Sequence, residues 1–499
     1  MTGSHAQRPV IPGFHPDPSV CRVGGTYYLA TSSFEYAPGV PILASTDLRS
    51  WTQVGNVLSR PGHLALTGGE ASSGILAPTL RHHGDRFWMI TTNVTDGGGH
   101  LLVTAEDPAG PWSDPVRVTN APGIDPDLAW DEDGTCYLTW TEFGRIVQAE
   151  LDPEKGALLT EPRPLWQGTG GQFPEGPHLY RVGEHWYLLL AEGGTGQGHA
   201  VTIARGPAPW GPFEPCPHNP LLTARGIAAP VQNVGHADLV QRPDGSWAMV
   251  HLGVRTRGAF PGWHVLGRET FGVEIGWDSG WPYVKGPIEP TAPPSARAAE
   301  DAFTSETAAL PPTWVRPNGF PEEVLSNSQG WRLRAPAHDP ESGEDDVAFV
   351  GRRQQHLLSS FRAVVAAPHG TVGGTSIRID PRHHLDLEVE GDEVRAVVRI
   401  GPARSLLGRC KIVSGHEVTL ELRTEPADGE WFSSAFGPDR VVAALVRDDD
   451  VLDLGHIDGR YLSTELVGGY TGRLVGMWCA RGELVVSSTR YEGTDERET

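Results

Sequence analysis

The chain has 499 residues, more than one hydrophobic core organises, so two or three domains are expected. A formal charge of −22, carried by dispersed acids, argues against a nucleic-acid binder, which needs a concentrated Lys/Arg surface. No stretch reaches the roughly 20 apolar residues of a membrane span, and 62 Gly, 43 Pro and 16 Trp describe a turn-rich, aromatic, all-β protein.

The opening stretch, "MTGSHAQRPVIPGF", has neither the charged start nor the apolar core of a signal peptide, so a cytoplasmic location is expected. Next comes "PGFHPDPSV", residues 12–20, with Asp17 between two prolines. Pro18 biases the residue before it toward extended backbone, and neither proline can donate to a sheet ladder. The stretch therefore reads as the unpaired, rigid start of a strand.

From there to about residue 285 a degenerate repeat of about 50 to 60 residues recurs five times. Each unit carries a strand, a Gly-containing turn ("VGG", "HGD", "EDG", "VGE", "PDG") and an aromatic second strand, which is a hairpin signature. Two further strands per unit complete a four-stranded blade. The prediction is a five-bladed β-propeller over residues 1–287. Trp51, Trp112 and Trp210, in the outer part of their units, are expected in blade cores.

The Pro/Ala-rich run "GPIEPTAPPSARAAED" contains the expected interdomain linker, 288–300. Beyond it the repeat stops. Alternating stretches such as "HLDLEVEGDEVRAVVRI" and "EVTLELRTE" predict an antiparallel β-sandwich of the jelly-roll type over 301–499. The five cysteines (Cys21, Cys136, Cys216, Cys410, Cys479) are odd in number and scattered, and signal neither a disulfide framework nor a zinc site. Homo-oligomerisation is left open.

In a propeller the innermost strand of each blade starts beside the central channel, so equivalent repeat positions converge. Aligning the five hairpins places Asp17, Ala77, Asp125, Glu175 and His236 at nearly the same position. Single Asp-Pro pairs are common in turns. Three acids in one register point instead to glycoside hydrolysis: one carboxyl stays protonated for the leaving oxygen, another stays ionised to activate water, and a third tunes the acid.

The motifs "GFHPDPSVCRVGGTYYLATSSFEYAPGVPI", "GIDPDLAWDEDG", "QFPEGPHLYRVGEHWYLLLAEGGT", "GHADLVQ", "LGRETF", "GRRQQH" and "YTGRLVGMW" span nearly the whole chain. They resemble glycoside hydrolase family 43, in the branch of β-xylosidases and α-L-arabinofuranosidases with a C-terminal sandwich of the concanavalin A-like kind. The resemblance implies an exo-acting, inverting enzyme that releases terminal β-D-xylose or α-L-arabinofuranose from short xylo- or arabinoxylo-oligosaccharides. It implies Asp17 as general base, Asp125 as the pKa-modulating and orienting acid, and Glu175 as general acid. It further implies Arg268 on sugar hydroxyls, Phe34 as a pocket wall and His236 deep in the channel. No cofactor is required for this reaction, although some relatives hold Ca2+ beside the equivalent of His236.

Two departures from the family pattern bear on substrate. Leu76 in "GILAP" stands where many relatives have Trp, and Gly472-Arg473-Leu474 stands where many have "GAF" at a loop near the active-site mouth. Two rival readings remain: a retaining fructan- or sucrose-type propeller hydrolase, and a non-catalytic carbohydrate-binding protein. The first expects motifs such as "NDPNG" and "EC", whereas here Ile124 precedes Asp125 and Gly176 follows Glu175.

Overall fold

The computed structural model describes residues 7–291 except 65, 67 and 68, and residues 307–495 except 308, 328–329, 337–346, 428–435 and 448–449. The chain divides into two compact units. The first contains the N-terminal part to Arg255 together with Arg268–Thr291, and the second contains Thr256–Gly267 and the C-terminal part. Most of the expected linker lies outside the described residues; its first position, Ile288, closes a strand.

The first unit is a five-bladed propeller. Its innermost strands are Ser19–Val23, Thr79–His83, Ile124–Trp130, Glu175–Val182 and Val231–Gln241, and each opens an antiparallel meander running outward. The second strands of the blades, such as Arg86–Thr92, His185–Glu192 and Trp247–Arg255, are mostly apolar and buried because each blade is packed between two neighbours. Apolar clusters sit at the blade interfaces, for example Ile90, Leu102, Leu138 and Trp140 between the second and third blades. Of the three tryptophans expected in blade cores, Trp112 is buried and Trp51 packs on the cluster around Leu29 and Val250. Trp210 departs from the expectation. It is 48% exposed because the Gly206–Phe213 turn carries it outward, with Arg163 over its ring.

A polar belt ties the inner strands together. Val20 N and Ser19 Oγ donate to Asp238 Oδ2 (2.9 and 2.7 Å), Leu80 N donates to Ser19 Oγ (2.9 Å), and Leu179 N donates to Asp127 Oδ2 (2.9 Å). Leu239 N donates to Tyr180 Oη (2.9 Å), and the Tyr180 hydroxyl donates to Asp238. Arg81 stands at the centre, on Asp127 Oδ1 at 2.7 Å and Asp238 Oδ2 at 2.8 Å. Both carboxylates are fully buried, so one guanidinium satisfies two charges that would otherwise be costly to desolvate.

The ring closes on its N-terminal segment. Val10 N and Ile11 N donate to Thr270 O (2.9 and 3.1 Å), His15 N donates to Arg268 O (3.0 Å), and Thr270 Oγ1 donates to His15 O (2.6 Å). These bonds bind the stretch holding Asp17 to the stretch holding Arg268.

The second unit is a two-sheet antiparallel sandwich. One sheet contains, in spatial order, Trp314–Pro317, Ala348–Arg353, Leu474–Arg481, Val372–Asp380, His383–Glu390, Glu393–Ile400 and Ala403–Lys411. The other runs Leu325–Ser326, Trp331–Arg334, Glu483–Thr494, Leu358–Ala366, Val418–Glu425, Arg440–Arg447 and Asp450–Asp458. Alternation along the strands sends Leu385, Leu387, Val394 and Ala396 into a core with Phe361, Leu422 and Met477.

Candidate active site

Asp17, Asp125, Gly176 and His236 share one strict register, two residues ahead of Ser19, Asp127, His178 and Asp238. They also share a left-handed backbone, with φ of 55°, 54°, 55° and 45°. The expectation that Pro18 holds Asp17 extended is therefore corrected, and the same holds for Asp125 before Pro126. In the third blade the pairing advances from Ile124↔Thr141 to Asp127↔Thr139, and in the fourth from Glu175↔Ala191 to His178↔Leu189. These two inner strands thus each carry one extra residue. Such a bulge re-aims a side chain away from the sheet, at a cost of about 1–2 kcal/mol for a non-glycine in this region.

Glu175 lies one residue ahead of that register, so its alignment with Asp17 and Asp125 is also corrected. Gly176 takes the left-handed position instead. A Cβ on Gly176 would lie 2.9 Å from His236 Nε2, so the site needs glycine for both its φ and its space. Gly176 N donates to Asp125 Oδ2 at 3.1 Å, which links the two acids through the backbone. Ala77, the second-blade counterpart, brings no polar group.

Asp17 is the most heavily ligated acid. Arg268 Nη1 donates to its Oδ1 at 2.9 Å, Ser32 Oγ donates to its Oδ2 at 2.6 Å, and His236 Nδ1 lies 3.6 Å from Oδ1. Burial alone would raise this carboxyl, but Arg268, His236 and the Ser32 hydroxyl together outweigh it and hold the group below its ordinary value. Glu175 goes the other way: burial, then the negative charge of Asp17, push it up to about 7. Asp125 is also pushed well up, by burial and then by the charges of Glu175 and Asp17. Asp125 and Glu175 titrate as a pair that keeps a proton near neutrality, while Asp17 is ionised.

Phe34 is buried, with the Arg268 guanidinium 5.6 Å from its ring centre and Phe14 behind it. Phe34 N donates to Ile75 O at 2.8 Å and Ile75 N to Phe34 O at 3.0 Å, which puts half-buried Leu76 one residue from that bridge. His236 is buried, and desolvation pulls its imidazole down to about 4, so the ring is neutral at pH 7. Ca2+ takes six to eight oxygens, and among the described residues no group of three or more His, Cys, Asp or Glu side chains could hold a metal ion. Arg473, at the second departure, is fully buried within the sandwich unit. It donates to Asp439 Oδ2 at 2.6 Å and to Gly459 O at 2.6 Å, so its charge is spent on that unit.

Several participants carried no signal in the sequence. Ser32 comes from the strand end after "YYLAT". Thr195 accepts from Arg268 Nη1 at 3.1 Å and sits in the Gly-rich "GGTGQG" loop. His199 is buried, its Nε2 makes no hydrogen bond among the described residues, and its Nδ1 bonds Asn233 O at 3.0 Å. Its ring abuts Gly235, where a Cβ would lie 2.4 Å away. Glu192, also buried, accepts from Thr169 Oγ1 (2.7 Å), Gly171 N (3.1 Å) and Thr202 Oγ1 (3.0 Å), and so fixes the loop leading into Glu175. A singlet Ser, Thr or buried Glu has no repeat partner to expose it.

A propeller whose channel holds two buried carboxyl groups and a half-buried third, one kept ionised by arginine and two kept high, has the build of a glycoside hydrolase. Residues 6–282 match the model of glycosyl hydrolases family 43, and residues 300–488 match the β-xylosidase C-terminal concanavalin A-like domain. The chain belongs to glycoside hydrolase family 43. It is 36% identical over 513 residues to a non-reducing end α-L-arabinofuranosidase of Bacteroides ovatus, covering 98% of this chain and 94% of that one. It is 35% identical over 514 residues to a xylosidase/arabinosidase of Butyrivibrio fibrisolvens, covering 95% and 96%. The solved structure of a xylan β-1,4-xylosidase from Bacillus halodurans superimposes with a TM-score of 0.86 at 28% identity, over 98% of this chain and 100% of that chain.

Proposed function

We propose that the enzyme is an exo-acting, inverting hydrolase that releases a terminal pentose, β-D-xylose or α-L-arabinofuranose, from short xylo- or arabinoxylo-oligosaccharides. One observation carries this reading: Asp17 is held low by Arg268 while Glu175 is raised to about 7. Two carboxyl groups with separated proton affinities are what a base and an acid require at one pH.

In the single displacement, a water oxygen bonds to the anomeric carbon as the bond to the leaving oxygen breaks. Asp17 takes one proton from that water. Glu175 gives its proton to the leaving oxygen, and exchange with solvent returns both groups to their starting states. Asp125, bonded to Gly176 N, orients Glu175 and keeps the shared proton at the site. Arg268 steadies Asp17 and, with Phe34 and His236, receives the sugar ring. The reaction needs no cofactor.

The names of the relatives support pentose as the substrate, since both xylosidase and arabinofuranosidase names occur among them. Proton NMR of the first-formed sugar tests the proposal. Inverted anomeric configuration is expected, and retained configuration would place the enzyme with the double-displacement hydrolases. Side-by-side kinetics on nitrophenyl β-D-xyloside and α-L-arabinofuranoside then rank the two pentoses.

A further inference from the structure

The fifth inner strand, Val231–Gln241, is more irregular than its counterparts in the third and fourth blades. Its pairing shifts twice, from Gln232↔Val254 to Gly235↔Leu252 and again to Ala237↔His251, so it absorbs two extra residues. Asn233 and His236 are both left-handed within that stretch, with φ of 56° and 45°. Non-glycine residues stay in that region only where their surroundings hold them there. The stretch matters because His236 Nδ1 lies 3.6 Å from Asp17 Oδ1, and His236 Nε2 packs beside Gly176, the neighbour of Glu175.

His199 holds this double bulge from the fourth blade. Its Nδ1 meets Asn233 O at 3.0 Å, and a carbonyl only accepts, so Nδ1 carries the proton. A Cβ on Gly235 would lie 2.4 Å from Cδ2, Cε1 and Nε2 of His199 alike. Equal distance from three contiguous ring atoms means that the imidazole presents its face to Gly235. The ring is itself fixed from behind: His199 N donates to Gly196 O at 3.1 Å, and Thr223 Oγ1 donates to His199 O at 2.8 Å. Burial pulls the imidazole down to about 3, so it is neutral at pH 7 and Nε2 is a lone-pair acceptor. That acceptor is buried and makes no hydrogen bond among the described residues. A hydrocarbon ring would fill the same space without an unmet acceptor. What the imidazole supplies beyond packing is the Nδ1 donor.

We infer that His199 is a positioning residue for the base: its Nδ1–H and its ring face fix the doubly bulged fifth strand so that His236 reaches Asp17. The inference rests on the reading of Asp17 as the base. Asp17 is faced by Arg268, His236, His199, Asp125 and Glu175, and His236 by Asp17, His178, Arg268 and Asp238. If His236 retreats, Asp17 loses one of the groups that offset its burial.

The test is the pH profile of kcat/KM on a nitrophenyl pentoside, whose good leaving group asks little of Glu175, with a thermal melt of each protein. His199→Phe keeps a ring and removes the donor, whereas His199→Asn offers its amide N–H in place of Nδ1–H. Gly235→Ala works from the other side, since the three atoms nearest the new Cβ all belong to the His199 ring. In His199→Phe and Gly235→Ala the acidic limb should move up by about half a pH unit or more, with kcat down about tenfold. In His199→Asn the limb should return to the wild-type position. A purely structural role would lower the melting temperature and leave the limb where it is. An unmoved limb in folded His199→Phe or Gly235→Ala would overturn the inference, and so would a displaced limb in His199→Asn. Product stereochemistry of the wild type tests the parent reading separately, so an inverting enzyme with an unmoved limb counts against His199 alone.

Discussion

Arg268 and Asp17, 251 residues apart, meet through a 2.9 Å bond from Nη1 to Oδ1 deep in the channel. Backbone hydrogen bonds bind their two segments on either side, through His15 N on Arg268 O and the Ile11–Thr270 pairing. The ion pair is therefore a consequence of ring closure, and it sets the protonation state of the proposed base.

Replacing Arg268 by Met should raise the pKa of Asp17, because burial then acts with its strongest opponent gone. The base works only when ionised, so the acidic limb of the kcat/KM profile should move to higher pH. Activity at neutral pH should drop by about 10²-fold or more, on the scale of general-base contributions. A pH–rate profile of the variant checks this, and an unmoved acidic limb would contradict the role given to Arg268.

Asp17→Ala should abolish hydrolysis of every substrate, since no group remains to take the proton from water. Glu175→Ala should cost about 10²–10⁴-fold with alkyl or sugar leaving groups and far less with good phenolates, which leave without protonation. A leaving-group series measures the difference. Equal losses across it would remove Glu175 from the role of acid.

Glu175 also predicts the alkaline limb. Its proton is required and its pKa is raised to about 7, so activity should fall as pH rises through that region. Stability follows the same sign. The folded state holds this proton more tightly than the unfolded state, whose value is near 4.5. The favourable contribution is present below 4.5 and is lost as pH rises to 7. Glu175→Gln should therefore be more stable than wild type at pH 8, by about 1–3 kcal/mol, with the gain disappearing near pH 4. Thermal melts at the two pH values read this out.

Arg81→Met should leave Asp127 and Asp238 buried without their shared cation. The expected loss is about 3–5 kcal/mol, measured by denaturant unfolding of the propeller. A loss below 1 kcal/mol would mean that the rest of the belt compensates.

Gly176→Ala should reduce both stability and activity. The new Cβ meets His236 Nε2 at 2.9 Å, and the left-handed φ of 55° becomes strained. A loss of about 1–2 kcal/mol from the backbone alone is expected, with kcat lowered through displaced Glu175. Unchanged kcat would separate Gly176 from the acid's positioning.

Much of this was legible in one dimension. Hairpins repeated five times with Gly turns specify blades, because a blade is a local meander whose period survives in the chain. Asp17, Asp125 and Glu175 were found because the repeat brings neighbouring positions to one axis. Strand alternation in "HLDLEVEGDEV" likewise separates the core-facing leucines from the outward acids. Folding alone decided the rest. The bulges in the third and fourth blades accompany the left-handed Asp125 and move Glu175 one residue off register, because each strand must absorb an extra residue, while Asp17 takes the same left-handed backbone just ahead of its strand, against the proline bias. Ser32, Thr195, His199 and Glu192 reach the site from loops and strand ends with no repeating counterpart. The opposed protonation of Asp17 and Glu175 belongs to neither residue type. It arises because ring closure delivers Arg268 to one carboxyl and leaves the other, half-buried and desolvated, beside a negative charge.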